Sequence, residues 1–129
     1  MVQPTDDVFI GLPQPDKFET VLTGQYFEAM DNFVRTFAFR PDDTFVFLAD
    51  RKLDPRVIHA ICGLARSRGI KPTVIVADNS QATEVPEELR PLVETATFVV
   101  SSWFCSIIDP FCIRMRNEKG QRWVKITYF

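Results

Sequence analysis

The sequence predicts an α/β domain in which a parallel sheet of about four strands lies between layers of helices. Three short apolar runs, at 45–49, 74–77 and 98–100, have the length and composition of strands buried on both faces. Helical patterns separate these runs, and strands joined through helices pair in parallel with right-handed crossovers. An alternating segment near the C-terminus adds a last strand. The predicted fold is therefore a three-layer, doubly wound sheet preceded by an N-terminal helix.

The beginning of the chain predicts an irregular arm followed by a helix. Prolines interrupt residues 1–16, whereas residues 17–39 repeat apolar side chains every three or four positions, which is the spacing of one helix face. This stripe consists of Phe18, Leu22, Tyr26, Met30, Phe33 and Phe37. Arg40 precedes a proline and closes the helix. We expect residues 1–16 to form the arm and residues 17–129 a single α/β domain.

The first strand, Thr44 to Ala49, leads into a helix with clear boundary signals. Asp54 can cap this helix, and Pro55 suits its first turn. Apolar residues between 57 and 65 give it a buried face, and Gly69 ends it.

The remaining elements follow the same alternation. The second strand covers residues 73–77, a short helix begins at Pro86, and the third strand covers residues 97–100. Residues 107–118 predict a helix with its proline in the first turn, and residues 123–128 alternate as the last strand.

Composition excludes several classes of function. The 129 residues suit one domain, and 46% of them are apolar, including twelve Phe. The formal net charge of −2 disfavours nucleic-acid binding. No apolar stretch approaches the roughly 20 residues of a membrane span. Three cysteines without a C-x-x-C pair argue against a disulfide framework and for a reducing, cytoplasmic setting.

Basic residues form one loose group near the C-terminus. The group consists of Arg114, Arg116, Lys119, Arg122 and Lys125. We interpret it as a solvated helix face and not as a phosphate-binding patch.

A ligand site, if present, is expected at the carboxyl ends of the parallel strands, where open α/β sheets bind their ligands. The polar residues that follow the first three strands are Asp50, Arg51, Asp78, Asn79, Ser101 and Ser102. They could form a polar rim that holds a small molecule or a partner loop. Ordinary loop solvation and helix capping explain the same residues, and this second interpretation is the more common case.

The sequence predicts no catalytic residue, metal ligand or cofactor. The turn at 49–54 has no glycine, so a dinucleotide pyrophosphate could not approach its backbone closely, and no P-loop motif occurs. The one histidine, His59, lies in a predicted helix without a ligand set around it. Cys105 follows a strand end, where a thiol could be reached, but it lacks a predicted base. Cys62 and Cys112 suit small core positions.

Five segments carry a resemblance to a known family. Residues Arg40–Asp50, RPDDTFVFLAD, resemble a pattern x-P-G-D-x-V-L-I-x-x-D at the start of that family's first strand. Asp54–Ala60 and Ala65–Gly69 resemble the beginning and the end of its next helix. Thr73–Val76 and Ala96–Val100 resemble its following strands.

From about Phe39 to Phe129 the chain thus resembles the N-terminal α/β domain of the metallopeptidase family of aminopeptidase T and aminopeptidase S, to which 2,5-dihydroxypyridine dioxygenase is related. The resemblance implies a two-domain parent whose two-metal site is built from Glu, His, Tyr and Asp of a later domain. The parent activity would be metal-dependent hydrolysis or ring-opening oxygenation. No catalytic residue carries over, and Asp42 replaces the usual glycine. The chain stops directly after an apolar strand, so we also expect a further domain, another chain or a truncation after Phe129.

Two main hypotheses follow, and a third belongs to another class. The first is a non-catalytic α/β domain or subunit that packs against a metal-bearing domain, or forms a homo-oligomer, without nucleic acid or membrane as a partner. Its predicted interface uses Phe18, Tyr26, Phe33, Phe37, Trp103, Phe104 and Trp123, with Phe111, Tyr128 and Phe129 nearby. The alternative is a small-molecule-binding module at the strand-end loops. The third is an enzyme that uses Cys105.

Overall fold

The fold is described for residues 24–78 and 82–126 of a computed structural model of the chain. The chain divides into two compact units, Met1–Ala38 and Phe39–Phe129. In the first unit the described helix α1 covers Gly24–Thr36, inside the predicted helix. Its Phe33 and Phe37 rings lie 5.2 Å apart, one turn from each other. That residues 17–129 form one domain stays a prediction.

Strands and helices alternate through the second unit. In chain order they are β1 (Phe45–Asp50), α2 (Pro55–Ser67), β2 (Thr73–Ala77), a 3₁₀ turn (Glu87–Leu89), α3 (Arg90–Thr95), β3 (Phe98–Ser101), α4 (Cys105–Ile108), α5 (Pro110–Glu118) and β4 (Arg122–Lys125). The strands form one sheet in the order β2-β1-β3-β4, and each neighbouring pair is parallel. The predicted α/β fold with a four-stranded parallel sheet is confirmed, and it is Rossmann-like.

Two Asp-Pro steps begin helices. The Asp54 side chain accepts a hydrogen bond from the Arg56 amide at 2.9 Å, at the start of α2. Asp109 accepts one from the Phe111 amide at 2.9 Å, at the start of α5. Asp109 itself has extended backbone, with ψ at 122°, because the residue before a proline leaves the helical region. The single helix predicted for 107–118 is therefore two helices, α4 and α5.

The crossovers place helices on both faces of the sheet. The chain runs from β1 to one edge and then back past β1 to β3, so right-handed crossovers put α2 on one face and α3–α5 on the other. On the α3–α5 side, a core cluster consists of Val46, Leu48, Val85, Val93, Ala96, Val99, Trp103, Cys105, Phe111, Cys112 and Met115. The opposite face carries an aromatic group in which the Phe39 ring lies 4.8 Å from Phe45 and 5.0 Å from Phe98.

The burial of the strands follows their position in the sheet. The central strands β1 and β3 are buried along their whole length, as predicted. The prediction that β2 is buried on both faces is wrong, since none of its residues is fully buried and Val76 is 45% exposed. The reason is topological, because β2 lies at one end of the four-stranded order and has one neighbouring strand.

An ion pair joins the amino ends of three neighbouring strands. The Arg122 guanidinium binds the Asp43 carboxylate, whose side chain is 4% exposed. Asp43 also accepts from the Thr97 hydroxyl at 2.7 Å and from the Arg40 amide at 2.7 Å. Burial alone would raise the pKa of Asp43, but these hydrogen bonds, that of Arg122 first, hold it below its usual value. The interpretation of Arg122 as part of a solvated helix face is therefore wrong.

Candidate functional site

The carboxyl ends of β1 and β3 lie side by side, at the point where the connections leave toward opposite edges of the sheet. This is the position where open α/β sheets bind ligands. Three of the predicted site residues meet there, namely Asp50, Ser101 and Ser102. All three are buried, with at most 3% of their surface exposed.

These polar side chains accept hydrogen bonds from backbone amides, either of the same loop or of the neighbouring strand. The hydroxyl of Ser102 accepts from the Asp50 amide at 2.7 Å, across the two strands. Asp50 Oδ1 accepts from the Lys52 amide at 2.9 Å, and the hydroxyl of Ser101 accepts from the Trp103 amide at 3.0 Å. The oxygens therefore shape the two loops from within, as buried acceptors that are neither solvated nor at a helix cap.

The other predicted rim residues lie away from this buried group. Arg51 and Asp78 form an ion pair at 3.5 Å in which both side chains are largely exposed. Such pairs contribute at most about 1 kcal/mol to stability. Asn79 lies outside the described residues.

Cys105 is buried at the beginning of α4, without accessible surface. Burial raises the pKa of its thiol to about 11, and the charge of Asp109 adds to the effect. Because the side chain has no exposed surface, the expectation that Cys105 could be reached is wrong. A thiol with this pKa is also a poor nucleophile at neutral pH. Cys62 and Cys112 are buried as predicted, and burial raises the pKa of Cys112 to about 12.

Asp109 is a buried carboxylate that sequence analysis did not single out. Besides capping α5, it accepts a hydrogen bond from the Val85 amide at 2.7 Å. Val85 lies 24 residues earlier, in the segment between β2 and α3. The sequence signal was the Asp-Pro step, which is the same as the one that begins α2. Asp109 therefore fixes the loop that enters α3 against the start of α5.

A shallow cavity lies beside the buried polar group, between α4, α5 and β4. Its volume is about 170 Å³, and Ser106, Ile107, Arg116, Trp123 and Lys125 line it. Arg116 donates to the Ser106 carbonyl at 2.5 Å, and its guanidinium carbon lies 5.4 Å from the centre of the Trp123 ring. Burial lowers the pKa of Lys125, and the groups of Cys105 and Asp50 oppose that effect. The cavity thus combines two cations with an aromatic ring.

This cavity is not predictable from the sequence because its residues come from three elements. The interpretation of the basic residues as one solvated helix face is wrong for Arg116, which is half-buried beside an aromatic ring, and for Lys125, which lies on a strand. The alternation along β4 was the available signal, since it places Trp123 and Lys125 on one face of the sheet.

An apolar ridge lies next to the cavity on α4. Three side chains form it, with exposed fractions of 48% for Phe104, 52% for Ile107 and 41% for Ile108. They lie within five successive residues at helical spacing, so they share one face. Ile107 also lines the cavity, so the two features are continuous.

The aromatic residues predicted to form one interface are partly exposed and partly buried in the structure. Phe104 is exposed, and Trp123 and Phe33 are half-buried. Phe37, which was also predicted for the interface, is buried. Trp103 and Phe111 are buried in the core cluster, so neither offers a contact surface, contrary to the prediction. Their side chains point into the layer between the sheet and α3–α5 and fill it. The side chains of Phe18, Tyr26, Tyr128 and Phe129 lie outside the described residues.

Residues 24–78 and 82–126 contain no group of three or more His, Cys, Asp or Glu side chains placed to hold a metal ion. In the same part of the chain, no helix combines the length and the apolar character needed to cross a membrane. His59 is exposed on α2, as expected. No protein-family model, curated protein or solved structure matches this chain.

Proposed function

We propose that this chain is a non-catalytic α/β subunit that buries its apolar ridge against a partner. The observation that carries the proposal is the ridge itself, Phe104, Ile107 and Ile108, three large apolar side chains that are each more than 40% exposed. Neighbouring exposed apolar side chains that share one face are candidates for an interaction surface. Exposed large apolar residues elsewhere in the described residues, such as Val57 and Val76, stand on other elements.

The chemistry of the strand ends supports a non-catalytic role. A catalytic carboxylate or hydroxyl has to reach a substrate, whereas the side chains of Asp50, Ser101 and Ser102 are buried and accept hydrogen bonds from backbone amides. The Cys105 thiol is buried and holds its proton at neutral pH. The carboxylate and the two hydroxyls thus stabilise the conformation of the loops.

A second copy of this chain is the occupant that we favour. The ridge carries no charged side chain, so an identical ridge related by a two-fold axis complements it without pairing of charges. The resemblance to the N-terminal domain of metallo-aminopeptidases supports a different occupant, a metal-bearing domain. In both cases the apolar surface of α4 is removed from water.

Sedimentation velocity on the full chain, from about 5 to 500 μM, tests the proposal over the range in which weak dimers form. We expect the sedimentation coefficient to rise with concentration, and the rise to disappear in a Phe104→Ser, Ile108→Ser variant. Val57→Ser is the matched control, because it removes an exposed apolar side chain from α2 and should leave association unchanged. A chain that stays monomeric throughout, or a Val57→Ser variant with the same loss, contradicts self-association through α4.

The second function predicted from the sequence, a small-molecule module at the strand-end loops, is less well supported at that place. Its expected ligand groups are either engaged with amides, as in Asp50 and Ser102, or joined in an exposed ion pair, as in Arg51 and Asp78. A ligand at the loops would have to replace those contacts. Its direct test is a ligand-induced rise in melting temperature that Asp50→Ala abolishes.

A further inference from the structure

We propose that the cavity between α4, α5 and β4 binds a small carboxylate whose body is a single ring or a short branched apolar group. This site goes beyond the role of the chain as a packing subunit. It rests on Arg116, Trp123 and Lys125, and it shares only Ile107 with the apolar ridge. The charge, the apolar lining and the size of the cavity each favour such a ligand.

The two cations of the cavity form no ion pair with a described residue, and the Asp50 carboxylate attracts Lys125 from beyond ion-pair distance. Within residues 24–78 and 82–126, five arginines form ion pairs, and neither Arg116 nor Lys125 has an acidic group within ion-pair distance. Each makes one hydrogen bond to a main-chain carbonyl instead, Arg116 to Ser106 and Lys125 to Ile126. A guanidinium has five N–H donors and an ammonium three, so both retain donors for an anion.

The geometry holds these groups in place before a ligand arrives. The Ser106 carbonyl and the Trp123 ring fix the Arg116 guanidinium from two sides. The Trp123 indole donates to Gln121 Oε1 at 2.9 Å, and the Gln121 amide donates to the Val93 carbonyl at 2.8 Å. The aromatic wall is therefore anchored to the body of the domain, which lowers the entropy that binding would cost.

The other lining residues select the body of the ligand. Trp123 and Ile107 supply the apolar part of the lining beside the cations, so the cavity favours an anion that carries an apolar part. A carboxylate is planar and has two acceptor oxygens, which match the paired N–H donors of the Arg116 guanidinium.

The size of the cavity limits the ligand. Its volume of about 170 Å³ is well below that of pockets for drug-sized molecules, which start near ~300 Å³. An apolar cavity of about 150 Å³ holds benzene. A one-ring or short branched monocarboxylate is thus the class that fits, with its carboxylate toward Lys125 and Arg116.

Benzoate is the probe that tests this site, with benzamide as the uncharged molecule of the same shape and inorganic phosphate as the anion without a ring. The titrations use the full, uniformly ¹⁵N-labelled chain and follow the indole signal of Trp123 and the backbone signals of Ser106 and Lys125. We expect saturable shifts at these residues with benzoate, and affinities about tenfold to hundredfold lower for benzamide. Phosphate should bind more weakly than benzoate, because it leaves the Trp123 wall uncovered.

Variants then assign the binding to the cavity. Lys125→Met and Arg116→Gln should each weaken benzoate binding about tenfold. Arg114→Gln, on the exposed part of the same helix α5, is the matched control and should leave binding unchanged. Since Arg116 also holds the Ser106 carbonyl, Lys125→Met decides the matter if Arg116→Gln unfolds.

Three results would overturn the site: no saturable binding of benzoate, equal affinity for benzoate and benzamide, or equal losses in Lys125→Met and Arg114→Gln. Phosphate binding as tight as benzoate binding would refute the carboxylate class. The Phe104→Ser, Ile108→Ser variant separates this test from that of the packing role, because it should abolish self-association and still bind benzoate.

Discussion

The Asp43 carboxylate and the Arg122 guanidinium, 79 residues apart in the chain, form an ion pair at the amino end of the sheet. The Arg122 guanidinium also lies 4.5 Å from the centre of the Phe98 ring. The pair therefore joins the segment before β1 to β4, across the start of β3. Because the two residues are so far apart in the sequence, this one contact brings the first and last strands of the second unit together through their amino ends.

Removing one member of this pair should destabilise the fold. We expect Arg122→Met to lower the free energy of unfolding by about 2–3 kcal/mol, because it leaves the Asp43 carboxylate buried without its cation. Urea unfolding measures the loss. Arg51→Met, which breaks the exposed pair with Asp78, is the matched control and should cost less than about 1 kcal/mol. Equal losses in the two variants would mean that the Asp43–Arg122 pair adds nothing beyond a surface contact.

Asp43 should also make stability depend on acid pH. Its pKa is lower in the folded chain than the ordinary value of 3.8, so the unfolded chain takes up its proton first as the pH falls. The contribution of Asp43 is present above about pH 4 and is lost as the pH falls through its folded pKa. Unfolding free energies measured from pH 6 to pH 2.5 should fall more steeply for the natural chain than for Asp43→Asn. Parallel profiles would contradict the lowered pKa.

Asp109 is expected to be the more important of the two Asp-Pro caps. Asp109→Ala removes the cap of α5 and leaves the buried Val85 amide without its acceptor, which should cost about 2–4 kcal/mol in urea unfolding. Asp54→Ala, at the half-buried start of α2, should cost clearly less. The reverse order would show that the link between Asp109 and Val85 does not hold the loop before α3.

The cysteines should be inert in the folded chain. With burial raising the pKa of Cys105 to about 11, its thiolate is scarce at pH 8, and no part of the side chain is exposed. Iodoacetamide should therefore modify Cys105 only after global unfolding, at the same slow rate as Cys62 and Cys112. Mass spectrometry of the alkylated peptides measures the three rates. Selective modification of Cys105 at neutral pH would revive the hypothesis of a nucleophilic thiol.

The raised pKa of Cys105 should also make the free energy of unfolding depend on pH in the alkaline range. Since the folded pKa of Cys105 lies above the unfolded value, the unfolded chain loses its proton first as the pH rises. Stability should decline between about pH 8.5 and pH 11, and Cys105→Ala should decline less over that interval. A steeper decline in Cys105→Ala would contradict the raised pKa.

Local patterns were sufficient to predict the central part of the fold. The apolar runs of β1 and β3 and the Asp54-Pro55 start of α2 are fixed by nearby residues, and the structure confirms them. The exposure of β2 was not predictable in the same way, because its apolar residues look like those of a central strand. Its place at the end of the sheet follows from the crossover order.

The candidate site was only partly predictable. Topology alone locates Asp50 and Ser102 together, since they end neighbouring strands. The cavity needs Arg116 from α5 and Lys125 from β4 to converge, which no local pattern encodes. The burial of Trp103 likewise depends on the helices that cover the sheet, so an aromatic residue assigned to a surface lies in the core.

The apolar ridge of α4 as a contact surface is the central claim, and nuclear Overhauser effects between isotopically labelled and unlabelled copies test it most directly. Mixed at high concentration, the copies should show contacts between the Phe104 ring of one copy and the methyl groups of Ile107 or Ile108 of the other. Contacts confined to other surfaces, such as the exposed strand β2 around Val76, or no contacts between copies at all, would contradict it.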